Sequence, residues 1–164
     1  MFRHIFLGLF LLLISAVYVS QNFLFNWSPS IPVGIYKRAD KGHYIAFCAP
    51  EFISKRKYAP YAPAQCGHRP LLLKPVIAGP GAVVVTEKNG VWVFGREGRY
   101  YKAGYIGKDS VGQLMPRAKE VIKLKKGEWY VLSTYHPRAI DSRYLGKIHD
   151  KDIKGKYQPL FTWP

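Results

Sequence analysis

The sequence predicts a mainly β domain, antiparallel and either barrel-like or two-sheeted, behind one N-terminal transmembrane helix. Three observations point there. The one long apolar stretch, Ile5 to Phe25, stands at the N-terminus. The 15 glycines and 12 prolines fall, but for Gly8, beyond it and interrupt the apolar runs at short, regular intervals. Short strands punctuated in this way suggest a sandwich or barrel. Lys88-Asn89-Gly90 separates the β-branched runs Ala82–Thr86 and Val91–Phe94, and Asn-Gly in that setting is the strongest short hairpin signal.

The N-terminal stretch carries no charge up to Val19 and, extended past Gln21 and Asn22, reaches the ~20 residues a bilayer needs. Arg3 and His4 precede it, which keeps the N-terminus cytoplasmic and puts the rest across the membrane. A cleaved signal peptide is the rival reading. Tyr18, Val19, Gln21 and Asn22 crowd the place where small residues would mark cleavage. A retained anchor over residues 1–25 is therefore expected, followed by one extracytoplasmic domain over 26–164. Trp27 fits an interfacial belt. Asn26-Trp27-Ser28 is a formal glycosylation sequon, read here as coincidental.

Next comes Ser28-Pro29-Ser30-Ile31-Pro32-Val33-Gly34. The prolines fix their own φ and push the residues before them towards extended conformations, and Gly34 permits a turn. Ser30 is thus presented in a stiff, non-helical loop near the membrane. Loop serines commonly do no more than make local turns.

Beyond the loop, strands are expected at His43–Ala49, Leu71–Ala78, Ala82–Thr86, Val91–Phe94 and Arg99–Tyr105. Two more, Glu120–Leu124 and Glu128–Leu132, flank Lys125-Lys126-Gly127 as a second hairpin. No segment after residue 30 has a helical period with caps, and no repeat or second domain is visible. Cys48 and Cys66 can form a disulfide on the oxidising side of a membrane. It would close a loop of roughly 17 residues, worth ~3 kcal/mol in the chain-entropy model. Two unpaired buried thiols and a cysteine nucleophile are the alternatives.

A hydrophobic fraction of 48% excludes intrinsic disorder, and the net charge of +15 asks for an anionic partner. The basic residues are dispersed; the densest clusters, Lys55-Arg56-Lys57 and Lys123 to Lys126, are short. They read as solvated surface, and no specific nucleic acid is expected. Anionic headgroups would hold such a domain against the bilayer, and Phe25, Ile31, Val33 and Ile35 could add shallow insertion. His4, His43, His68 and His149 lack metal-ligand spacing, so no metal or cofactor is expected.

Lys74 interrupts Leu71-Leu72-Leu73-Lys74-Pro75-Val76-Ile77, where both faces of the strand are apolar. A buried ammonium loses solvation and its pKa falls; a lysine that is neutral near pH 7–8 can act as a general base. An edge lysine that snorkels to water is the bland alternative. Ser30 needs such a base, because a serine hydroxyl is a poor nucleophile alone. Ser28 can bring a second hydroxyl to the same centre.

Ser30-Ile31-Pro32-Val33-Gly34-Ile35-Tyr36 resembles the serine box of the membrane-bound signal peptidases. Leu73-Lys74-Pro75-Val76 with Gly79-Pro80-Gly81 looks like their lysine box, and Asp141-Ser142-Arg143-Tyr144-Leu145-Gly146 like their C-terminal box. The "S-x-P-x-G-I-Y" form, the paired cysteines around a basic loop and the ending Pro159-Leu160-Phe161-Thr162-Trp163 resemble the TraF branch, the conjugative-transfer peptidases that mature pilin. The resemblance covers nearly the whole chain.

It implies Ser30 as nucleophile and Lys74 as general base, a Ser-Lys variant of triad logic. The Ser30 backbone N–H and the Ser28 hydroxyl would form the oxyanion hole. Asp141 and Arg143 would pair beneath the site, with Ser142 between them. The substrate would be a pilin precursor, processed and in this branch sometimes cyclised by its own N-terminal amine. The chain would sit in the inner membrane with its domain in the periplasm, beside secretion and conjugation machinery. It departs from the leader peptidases at Ala82, where they carry aspartate. It departs again at Ala139, where they place a serine that orients the lysine; Ser133 or a backbone carbonyl would take that role.

Three other readings compete. A general leader peptidase would use the same residues on signal peptides. A Ser-His-Asp hydrolase would use His136 and Asp141, but Ser30 lacks the G-x-S-x-G elbow and Lys74 is then unexplained. A non-catalytic basic subunit of a secretion apparatus would explain the charge but not the lysine.

Overall fold

The computed structural model describes residues 2–54, 64–95, 98–109, 111–118 and 121–163. Helix α1, Phe2–Asn22, contains a 19-residue segment, His4–Asn22, long and apolar enough to cross a membrane and left unburied by the domain; it meets the domain at its last turn, where Arg38 donates to the Gln21 carbonyl. The helix runs straight into strand β1, Phe23–Asn26, so the domain begins at the end of the apolar helix.

The strands that follow are β2 (Val33–Arg38), β3 (Tyr44–Cys48), β4 (Leu71–Ala78), β5 (Val83–Thr86), β6 (Val91–Phe94), β7 (Arg99–Tyr101), β8 (Val121–Lys123), β9 (Glu128–Val131), β10 (Ile148–His149) and β11 (Ile153–Trp163). They form a seven-stranded sheet, β1-β2-β11-β3-β4-β9-β10, and a four-stranded one, β7-β6-β5-β8. All their pairings are antiparallel. The mainly β, two-sheet expectation holds. Single helical turns, α2 (Glu51–Ser54) and α3 (Ser142–Leu145), interrupt it; they are too short to leave a period in the sequence.

The C-terminal strand organises the large sheet. β11 inserts between β2 and β3, with Tyr157 opposite both Arg38 and Tyr44. The sequence reading missed it, because Lys154, Gly155, Lys156 and Pro159 hide any alternation. A register shift between Pro159 and Phe161 lets the strand accept a proline that cannot donate to the ladder. Gly34 has φ 153°, and a Cβ there would overlap the Phe161 carbonyl; only glycine lets β2 and β11 approach so closely.

The Asn-Gly hairpin forms as expected, with Val83 opposite Phe94 and Thr86 opposite Val91. The second expected hairpin does not. β8 pairs with β5, and β9 pairs with β4 and β10. Lys125-Lys126-Gly127 is a turn, closed by the Glu128 N–H to the Lys125 carbonyl at 3.1 Å, that carries the chain from one sheet to the other. Turn chemistry specifies a change of direction; the partner is set by burial. Leu124, just after β8, and Tyr130, in β9, enter one core with Val84, Val91 and Leu132. Arg99–Tyr105 contracts to the three residues of β7. Glu120 lies outside the described residues.

Cys48 and Cys66 form a disulfide with a Cα–Cα distance of 5.3 Å. It ties the end of β3 to the 3-10 turn Ala64–Cys66 and removes both cysteine alternatives. The Lys55-Arg56-Lys57 cluster, Pro60 and Pro63 lie outside the described residues.

Candidate active site

Lys74 lies in β4, which pairs with β3 on one side and β9 on the other. Its cross-strand partner is Ile45. An interior strand gives a lysine no edge from which to snorkel, and Lys74 is only 4% exposed. Burial, the dominant cause, pulls its pKa down to about 8; Asp141 pushes it up and Arg143 pushes it further down.

The amine meets Ser30. Lys74 Nζ lies 2.5 Å from Ser30 Oγ, although 44 residues separate the two. An ammonium donates across this contact; once the amine is neutral, the serine hydroxyl donates and Nζ accepts. Ser30 sits in the β1–β2 connection and is 7% exposed. The Ser28 hydroxyl donates to Ser30 Oγ at 2.9 Å and accepts from the Ser30 N–H at 3.3 Å. Two hydroxyls, one backbone N–H and one amine thus converge, Ser30 and Lys74 buried and Ser28 open to solvent.

Asp141 and Arg143 lie beneath, both buried. The guanidinium donates to both carboxylate oxygens at 2.9 Å, the bidentate geometry that makes such pairs strong. Asp141 also caps α3 by accepting the Arg143 N–H. Ser142 Oγ accepts the Val131 N–H at 3.0 Å, fastening α3 to β9. The sequence reading assigned this cluster a supporting place, and the structure brings it to within electrostatic reach of Lys74.

Ser133 does something other than expected. It was a candidate to orient the Lys74 amine in place of the serine missing at Ala139. Its hydroxyl instead donates to the Ser30 backbone carbonyl, and its N–H donates to Asp141 Oδ2 at 3.0 Å. It links the buried ion pair to the main chain of Ser30. Asn26 enters the sequence reading only as the first residue of a coincidental sequon. It holds the Ser30 loop by four hydrogen bonds; a short polar residue beside a strand end carries no signal of such a role.

A cavity of about 380 Å³ opens beside the two serines and Lys74, with Leu72, Ile106, Met115, Ile140 and Tyr144 on its walls. It is mostly apolar and suits an extended peptide whose carbonyl reaches Ser30. His136 lines the same cavity, but its Nδ1 accepts the Arg138 N–H at 3.1 Å, and the contact to Ser30 Oγ comes from Lys74. Among the described residues, no three His, Cys, Asp or Glu side chains are grouped to hold a metal ion.

Of the four apolar residues expected at the rim, Phe25 is exposed, Val33 and Ile35 are half-buried in β2, and Ile31 is buried. Ile31 is 1% exposed and belongs to the core with Tyr36 and Tyr157, so it cannot enter a bilayer. The exposed apolar residues here are Phe25, Trp27, Leu160, Phe161 and Trp163. Phe25 packs on both Trp27 and Trp163.

A family model described as signal peptidase, peptidase S26, matches residues 2–163. Among solved structures the chain is similar to a signal peptidase I from Enterococcus faecalis V583. The identity is 17% and the TM-score 0.42, over 73% of this chain and 97% of that one. A search of curated proteins returned no match.

Proposed function

We propose that this chain, which belongs to the signal peptidase family, peptidase S26, is a membrane-anchored serine endopeptidase with a Ser30–Lys74 dyad, and that it matures a pilin precursor in the manner of the TraF branch. The observation that carries the dyad is the 2.5 Å contact between a buried, pKa-depressed lysine and a serine hydroxyl.

The reaction is acyl transfer. Ser30 Oγ attacks a peptide carbonyl carbon as neutral Lys74 takes the hydroxyl proton. The Ser30 N–H and the Ser28 hydroxyl, turned from Ser30 Oγ to the substrate, stabilise the oxyanion. The intermediate collapses, the C–N bond breaks, and the Lys74 ammonium returns its proton to the leaving amine. Water resolves the acyl-enzyme to a linear product. The substrate's own N-terminal amine resolves it to a cyclic one.

The anchor holds the chain in the inner membrane, single-pass, with the domain from β1 onward in the periplasm. A disulfide supports the oxidising side. Anionic lipid, drawn by the net charge of +15, and the exposed aromatic rim bring the site to the bilayer surface, beside the secretion machinery that delivers the substrate. The domain has no specific nucleic-acid partner. A general leader peptidase is the second reading, favoured by the family match.

One experiment separates them. The full chain is reconstituted in vesicles of phosphatidylcholine with or without phosphatidylglycerol. It is then offered a pilin precursor and an exported precursor with an ordinary signal peptide. Mass spectrometry is expected to show pilin cleavage, faster with the anionic lipid, and a product one water lighter than the linear chain. Cleavage of the exported precursor alone would establish the leader-peptidase reading instead, and equal rates on both vesicles would remove the lipid partner.

A further inference from the structure

The loop that carries both serines is held by side chains. Among the described residues, no main-chain to main-chain hydrogen bond from another segment reaches Ser28–Pro32. Tyr36 Oη donates to the Pro32 carbonyl at 2.7 Å and Ser133 Oγ to the Ser30 carbonyl. The remaining hydrogen bonds from outside the loop to its main chain come from one amide. Asn26 Nδ2 donates to the carbonyls of Ser28 at 2.8 Å, Pro32 at 3.1 Å and Ile31 at 3.3 Å, while its Oδ1 accepts the Ser28 N–H at 3.2 Å. The two hydrogens of one amide are shared among three carbonyls.

Asn26 has this reach because it ends β1, opposite Gly34, and its side chain turns inward at 8% exposure. The site demands a donor pair and an acceptor on one short side chain, which asparagine supplies. Aspartate accepts but does not donate, and serine cannot span both functions. A buried amide with its nitrogen so engaged is also no glycan acceptor, which disposes of the sequon.

Asn26 grips Ser28 by both its N–H and its carbonyl. The direction of the Ser28 Cα–Cβ bond follows, and with it the position of the Ser28 hydroxyl, 2.9 Å from Ser30 Oγ. We infer that Asn26 is a positioning residue for the oxyanion hole: it fixes the Ser28 hydroxyl where transition-state charge develops, and so acts on kcat rather than KM. This rests on the peptidase reading above.

The test is a mutant cycle between Asn26 and Ser28, read on a cleavable peptide with the full chain in detergent. Asn26→Ser is expected to lower kcat about 10²-fold, the loss typical of one oxyanion donor, with KM within about twofold. In a Ser28→Ala background the same change is expected to cost only a few-fold, because the group it positions is already gone. Asn26→Asp, isosteric but unable to donate, is expected to behave alike. Turnover is expressed per folded molecule from the near-ultraviolet circular dichroism, so a partly folded variant still reports. Equal losses in both backgrounds, an unchanged kcat, or a loss that tracks the folded fraction overturns the inference. Wild-type cleavage that survives Ser30→Ala would overturn the peptidase reading itself, a separate outcome in the same assay.

Discussion

Replacing Lys74 with methionine is expected to abolish cleavage and to stabilise the protein. The first effect follows from the proposed dyad: without its base Ser30 stays a neutral alcohol, and kcat should fall by a factor on the order of 10⁴ or more. Ser30→Ala should lose as much, because residues that act as a unit are not additive. The second effect follows from burial. The lysine's pKa falls from 10.5 to about 8 on folding, and each pK unit corresponds to about 1.4 kcal/mol. Below pH 8 the amine is charged in both the folded and unfolded states, and the buried charge costs about 3 kcal/mol in full. Between pH 8 and 10.5 the unfolded chain binds more protons, so wild-type stability rises with pH. Above pH 10.5 both states are neutral and the cost is gone. The methionine variant should therefore gain most at pH 6–7, with the gain shrinking towards pH 10.5. Urea unfolding across that range checks it; a Lys74→Met protein no more stable than wild type at pH 6 would contradict the charge cost.

Breaking the ion pair beneath the site is expected to act in the opposite direction. Asp141→Ala leaves the Arg143 guanidinium 1% exposed and without its carboxylate. It also leaves the Ser133 N–H without its acceptor. Removing one partner of a buried pair costs about 3–5 kcal/mol, much of a small domain's stability. The replacement Asp141→Leu with Arg143→Met should recover much of that loss, because no charge is then left buried. The pair also tunes the base. Asp141 raises the Lys74 pKa and Arg143 lowers it. Asp141→Asn, which keeps the shape, should therefore shift the ascending limb of the pH–rate profile below pH 8. Thermal melts and pH–rate profiles of these variants read the two effects separately.

The sequence was most legible where local chemistry and burial agree. Leu71–Ala78 reads as a strand because its apolar run is continuous, and it is buried between two neighbours. The Asn-Gly turn specifies its own hairpin. Lys125-Lys126-Gly127 also specifies a turn, but the choice between two sheets is made by Leu124 and Tyr130 entering a common core. β11 was invisible because its burial comes from β2 and β3, more than a hundred residues away in sequence, and its own lysines and proline argue against a strand. At the site, Ser30 and Lys74 were legible because each violates its surroundings: a hydroxyl in a stiffened loop, a charge in an aliphatic run. Asn26 and Ser133 violate nothing. Their work is done on backbone carbonyls whose positions exist only after folding.

The dependence of kcat/KM on pH tests the central claim most directly. The account predicts a single rise with its midpoint near pH 8, unmoved by His136→Ala and absent, with the activity, from Lys74→Met. A midpoint near the ordinary histidine value of ~6.5, erased by His136→Ala while Lys74→Met still cleaves, would mean that the imidazole is the base.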